Sequence, residues 1–179
     1  YRGGNPTVYG PYSAICFTEM PLYALIDYAN KRQSGSGFVG KYGIAFRKKE
    51  LFIAGARNVI YGLSGRHKES EAGDAYWEYG MRTLASDCGL GINEQYRYVY
   101  TKLSQDKNVD WTFEREWRLP IRDDHWVVPG LPFLLDRSNY NNPIKDAFVI
   151  VETDEEKDTI LDQLANMYNS KATNYGYEY

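Results

Sequence analysis

The stretch DWTFEREWRLP, residues 110 to 120, packs two glutamates, two arginines and two tryptophans into the eight positions from Trp111 to Arg118. In an extended chain, successive side chains point to opposite faces. Continued to Ile121, the pattern puts Trp111, Phe113, Trp117, Leu119 and Ile121 on one face, with only Arg115 interrupting. Thr112, Glu114, Glu116 and Arg118 fall on the other. The expectation is a strand with an apolar side and a charged side, on which Glu114 and Glu116 stand together with Arg118 beyond them. Carboxylates this close repel unless a cation neutralises them, and Arg118 is the nearest one. Two uses fit. One is a solvated face with a Glu–Arg pair, each such contact worth about 0.2–1 kcal/mol. The other is a carboxylate pair that holds a sugar hydroxyl and stabilises positive charge developing at an anomeric carbon.

Upstream, SAICFT (13–18) reads as a short buried strand ended by Glu19 and the Met20-Pro21 pair. Leu22, Leu25, Ile26 and Ala29 then recur at helical spacing, with Pro21 where its missing N–H is no loss. The Thr18 hydroxyl and Glu19 carboxylate stand at the strand end, a common place for ligand contacts; Thr18 as a helix cap is the alternative. YGIAFR (42–47) reads as a strand, KKELFIAG (48–55) as a short helix and RNVIYG (57–62) as a strand. Helices are expected at 74–86, through Ala75, Tyr76, Tyr79 and Thr83, and at 93–104, through Tyr96, Val99, Tyr100 and Leu103. Lys102 on the second offers a further cation; a solvated lysine is the alternative. WVVPG (126–130) and PFLLD (132–136) read as strands, SNYNNP (138–143) as a turn, and DAFVIVE (146–152) as a central strand. TDEE (153–156) is a capping box that opens a last helix striped by Ile160, Leu161, Leu164, Met167 and Tyr168. RQSGSGFVG (32–40) and GLSGRHKESEAG (62–73) read as loops, and 171–179 as a flexible tail. The class is α+β: a single domain over 1–170 with a mixed or mainly antiparallel sheet and flanking helices.

At 179 residues the chain is the size of one domain. Its 24 acidic and 21 basic residues argue against a dedicated duplex-DNA binder. Interleaved aromatics and arginines also suit single-stranded nucleic acid, and the same charge balance argues against that. No run approaches the roughly 20 apolar residues of a bilayer span, and no secretory pattern opens the chain. A cytoplasmic protein without membrane attachment is therefore expected. Cys16 and Cys88 lack CxxC spacing and His67 and His125 are the only histidines, so no metal site is expected. The 17 tyrosines suit wet clefts as well as cores, and Tyr12 and Tyr42 are candidates to stack on a ring. Arg2, beside two glycines, offers a phosphate contact; a flexible terminus is the alternative.

The order of the pieces adds to this. ICFTEMPLYALIDYANKR, KYGIAFRKKEL, GARNVIYG and YTKLSQDKNVDWTFEREWRL follow one another as a CF-[ST]-E segment, a YG-[IV]-x-F strand, a V-x-Y strand and a late K…W-x-x-E-x-EWR block. Over roughly residues 11 to 122 the chain resembles the AbiGi family of abortive phage-resistance proteins and its bacterial relatives. The resemblance implies phage defence or a toxin–antitoxin-like module, with a cognate toxin, antitoxin or phage protein as partner. A more distant similarity is to the ADP-ribosyltransferase fold, whose NAD site combines an early Arg or His, a middle strand ending in Ser or Thr, and a late Glu, often in ExE. On that similarity Arg2 would be the early cation, Thr18 the middle hydroxyl, Glu116 the catalytic carboxylate and Glu114 the residue orienting the acceptor. Glu19, Tyr12, Tyr42, Lys102 and Arg118 would complete the nucleotide contacts. Arg2 lies only 16 residues before Thr18, and no STS triplet is present. The implied reaction expels nicotinamide from NAD; the alternative is a non-enzymatic antitoxin or sensor binding a protein or nucleotide.

Overall fold

The computed structural model describes residues 7–32, 39–63, 76–78, 81–103, 108–122 and 144–170. In chain order these form β1 (Ser13–Thr18), α1 (Leu22–Lys31), β2 (Gly43–Phe46), α2 (Lys48–Ala54), β3 (Arg57–Asn58), β4 (Ile60–Tyr61), β5 (Tyr76–Glu78) and β6 (Met81–Thr83). There follow β7 (Tyr98–Val99), β8 (Lys102–Leu103), β9 (Asn108–Val109), β10 (Glu116–Ile121), β11 (Ala147–Ile150) and α3 (Asp154–Ser170). Helices beside small, mostly antiparallel ladders make a mixed α+β fold. The chain divides into two compact units, Tyr1–Met20 with Gly55–Val128, and Pro21–Ala54 with Pro129–Tyr179.

In the first unit β10 lies between β1 and β3, antiparallel to both. The β1–β10 register runs from Ser13 opposite Ile121 to Thr18 opposite Glu116. Alternation therefore gathers Ile15, Phe17, Trp117 and Leu119 on one face, and Cys16, Thr18, Glu116 and Arg118 on the other. RNVIYG is not one strand: it breaks at buried Val59, whose N–H donates to the Glu116 carbonyl at 3.0 Å. β3 then stays with β10, while β4 pairs in parallel with β7. Tyr9, Ala56, Val59, Tyr96, Tyr98 and Leu119 form the core. Tyr9 meets Tyr98 edge to face at 5.0 Å, and the Arg82 guanidinium covers the Tyr9 ring at 4.2 Å. Next to it, Gly10 has φ +79°, and a Cβ there would lie 2.8 Å from the Ile92 carbonyl oxygen. Only glycine fits this approach.

Two expected helices are corrected. The 74–86 segment contains the β5–β6 hairpin, and 93–104 holds a 3-10 turn, Ile92–Arg97, followed by β7 and β8. Tyr, Trp, Thr and Val are strand-prone types, and pairing outweighs a spacing that short strands also satisfy.

In the second unit β2 pairs antiparallel with β11, Gly43 opposite Ile150 through Phe46 opposite Ala147. Ala29, Leu51 and Ile144 are buried. Among the described residues β11 has β2 as its single strand partner, and Phe148 and Val149 are exposed, so the expected central position is not met. An apolar run supplies both faces of a strand with greasy side chains, but burial needs covering layers that the run does not encode. The expected strands at 126–130 and 132–136, the turn at 138–143, the tail at 171–179 and most of both loops lie outside the described residues. Among the described residues no helix is long and apolar enough to cross a membrane.

Candidate functional site

Alternation fails at the start of the EREWR block. The Asp110 carboxylate accepts the Thr112 N–H at 2.9 Å and its hydroxyl at 2.7 Å, an Asx-type turn. Thr112–Glu114 then forms a single 3-10 turn, and Arg115 has φ +47°, the one non-glycine positive φ among the described residues. The strand begins only at Glu116. Glu114 therefore belongs to the turn and does not stand beside Glu116 on a strand face, as the two-residue spacing predicted.

From Glu116 onward the pattern holds, but on the polar face the Glu116 and Arg118 side chains are not solvated. Arg118 Nε donates to Glu116 Oε1 at 2.8 Å, and Nη2 donates to Oε2 at 3.3 Å. Nη1 donates to the carbonyls of Tyr96 at 2.7 Å and Tyr98 at 3.2 Å. The arginine and glutamate side chains keep 9% and 13% of their surface. A charge so enclosed persists only when paired and hydrogen-bonded, and this bidentate pair meets both conditions. The pair thereby fastens β10 to the Ile92–Arg97 turn and β7.

Four neighbours complete the cluster. The Tyr61 hydroxyl accepts the Glu116 N–H at 2.7 Å. Burial, followed by the nearby Glu116 and Glu114 carboxylates, pushes its phenol above the usual range, against the lowering effect of that hydrogen bond. The Thr18 hydroxyl donates to the Glu114 carbonyl at 2.6 Å and accepts the Met20 N–H at 3.1 Å, so it ties strand to turn and does not cap α1. Cys16 stands opposite Arg118. The residue is exposed, yet surrounding protein screens its sulfur; this desolvation, then a hydrogen bond to the Glu116 carboxylate, pushes the thiol up to about 12. A thiol so protonated is a poor nucleophile. Glu19 closes the edge, accepting from Trp117 Nε1 at 2.8 Å and facing Arg115 Nη2 at 3.5 Å.

The structure thus brings Thr18, Glu19, Glu114, Glu116 and Arg118 to one end of the β1–β10 pair. Tyr12 lies at the other end, before Ser13, with Arg122 5.5 Å over its ring. The six residues of β1 separate it from Glu116 by about 20 Å at roughly 3.3 Å per residue. Lys102 is in the β8–β9 hairpin opposite Val109, not on a helix. Tyr42 belongs to the second unit, where its hydroxyl donates to Glu156 at 2.7 Å. Arg2 lies outside the described residues. Among the described residues no group of three or more His, Cys, Asp or Glu could hold a metal ion. Tyr61 is the member that sequence reasoning missed. The parallel pairing of β4 with β7 places it, and no local pattern encodes that pairing.

Chemically, the cluster is a neutralised one. With both oxygens on Arg118, the Glu116 carboxylate projects little net negative field, because the two charges largely cancel a few ångströms away. No family model, curated protein or solved structure significantly matches the chain.

Proposed function

We propose that the chain is the binding component of a phage-defence module, an antitoxin or sensor that captures a protein or nucleotide partner and performs no chemistry at Glu116. One observation carries this reading: both Glu116 oxygens are held by Arg118, which is itself anchored on two backbone carbonyls. A carboxylate that must stabilise an oxocarbenium-like state needs an uncompensated negative field at the sugar. The defence setting rests on the likeness of residues 11 to 122 to the AbiGi family.

A second reading, an NAD-using ADP-ribosyltransferase-like enzyme, is favoured by the register that sets Thr18 opposite Glu116. In it, an entering nucleotide would draw Arg118 away and leave the carboxylate to a ribose hydroxyl. Incubation with nicotinamide-labelled NAD separates the two. The binding reading expects no release above background from the wild type or from Glu116→Gln. Release by the wild type that Glu116→Gln abolishes, with Thr18→Val also impaired, would overturn it.

A further inference from the structure

Helix α3 is held in an unusual way. In its body, residues 157–166, only Ile160 is half-buried and every other side chain is exposed, including Leu161 and Leu164 of its apolar stripe. Helices in proteins draw most of their stability from packing such a stripe, and an isolated helix of this length is marginal in water. The contacts that steady α3 gather at its first turn instead. Thr153 Oγ1 accepts the Glu156 N–H at 3.2 Å, and Glu156 Oε2 accepts the N–H groups of Thr153 and Glu152, each at 3.0 Å. The other carboxylate oxygen, Oε1, accepts the Tyr42 hydroxyl at 2.7 Å, while Lys41 Nζ pairs with Glu152 at 2.5 Å. Asp154, Glu155 and Glu156 place negative charge at the positive end of the helix dipole. Tyr42 and Lys41 immediately precede β2, so a strand holds the cap of a helix that is otherwise free along its described body.

We propose that α3 is a conditional helix, latched at its first turn to the start of β2 through Tyr42–Glu156 and Lys41–Glu152, and that opening the latch melts its body. The physical reason is nucleation. Fixing the first turn is the costly step in helix formation, and each later residue adds one hydrogen bond at little further cost. A contact that orders the first turn therefore governs the ten residues beyond it, which it never touches. The two oxygens of Glu156 have separate tasks: Oε2 builds the capping box and Oε1 receives the latch. Tyr42→Phe removes the latch contact and leaves the box; Lys41→Ala removes the second contact. This inference does not depend on which functional reading holds.

Hydrogen–deuterium exchange on the full chain at neutral pH is the test. In the wild type, amides of residues 157–166 are expected to exchange much faster than those of β10. Tyr42→Phe should accelerate the 157–166 amides about fivefold, the factor that one net hydrogen bond supplies, and the double variant with Lys41→Ala should accelerate them further. Rates in β2 and β10 should stay within twofold. Three results would overturn the latch: unchanged rates at 157–166 in the double variant, wild-type protection there equal to that of β10, or equal acceleration across β2 and β11.

Discussion

Tyr96 and Tyr98 of the first unit keep 1% and 2% of their surface, whereas Tyr23, Ile44 and Ile53 of the second keep 77%, 57% and 62%. Both units are rich in apolar residues, so composition does not explain the contrast. The first unit has a three-stranded sheet on which the Arg118–Glu116 pair is enclosed and held to two backbone carbonyls. The second relies on exposed or half-exposed pairs: Arg47–Asp146 beside the two-stranded ladder, Lys31–Asp27 within α1, and Lys41–Glu152. Exposed pairs contribute little, a median of about 0–1 kcal/mol each. Rigidity is therefore expected to concentrate where a charge is enclosed, and local opening where charges merely meet in water.

The hardest blow to this contrast is Arg118→Ala. It leaves Glu116 enclosed without its cation, and about 3 kcal/mol of stability should be lost in urea unfolding. Arg118→Lys should recover only part of that, because an ammonium cannot hold both oxygens and both carbonyls in the fixed guanidinium geometry. A loss below roughly 1 kcal/mol would place the pair with the weak surface ones and erase the distinction. Gly10→Ala comes next: an L-residue at φ +79° with its Cβ against the Ile92 carbonyl should cost roughly 2 kcal/mol by the same measurement.

Effects in the second unit should be smaller and local. Thr153→Ala removes the box contact and should weaken α3 by about 1 kcal/mol, visible as lost helical circular dichroism without a shift in the main urea midpoint. Acid should act in the same place. The Tyr42 hydroxyl, ahead of the capping N–H groups, holds the Glu156 carboxyl below its usual range. A depressed carboxyl lends stability above its unfolded pKa, near 4.3, and that contribution fades as pH falls through the folded value. Helical signal should accordingly decline below about pH 4.3, and Tyr42→Phe, which brings the folded pKa back toward the unfolded one, should make the decline smaller and end it at a higher pH. The smallest effect is expected at Thr101, whose buried hydroxyl oxygen has no hydrogen-bond partner among the described residues. Thr101→Val should cost nothing and could add up to about 1 kcal/mol, read from the same unfolding curve.

Elements with local signals were legible in the sequence. β1 spans the six residues of SAICFT, although none of them is buried as the apolar run suggests, α1 follows Pro21, and the TDEE box opens α3 with the reciprocal bonds its spacing predicts. The charged block was legible only from Glu116 onward. A period-two reading assumes continuous extension, and one left-handed residue at Arg115 ends that assumption while leaving the letters unchanged. Asp110 two residues before Thr112 was the available warning, since this pairing starts turns. The enclosure of Arg118 had no local signal. It arises because residues 96 to 98 arrive over the sheet from a distant part of the chain.

The interleaving of the two units also sets a timetable for synthesis. β1 and β3 lack their sheet partner until β10 emerges from the ribosome, and β2 waits about as long as β1 does, for β11, the last strand in the chain among those described. Through that interval Ile44, Phe52 and Ile53 travel as nascent apolar chain without the ladder that will order their neighbourhood. At roughly 5–20 residues per second the delay between β2 and β11 lasts several seconds or more, ample time for a chaperone to engage. The arrival of β11, about a hundred residues after β2, is what closes this ladder.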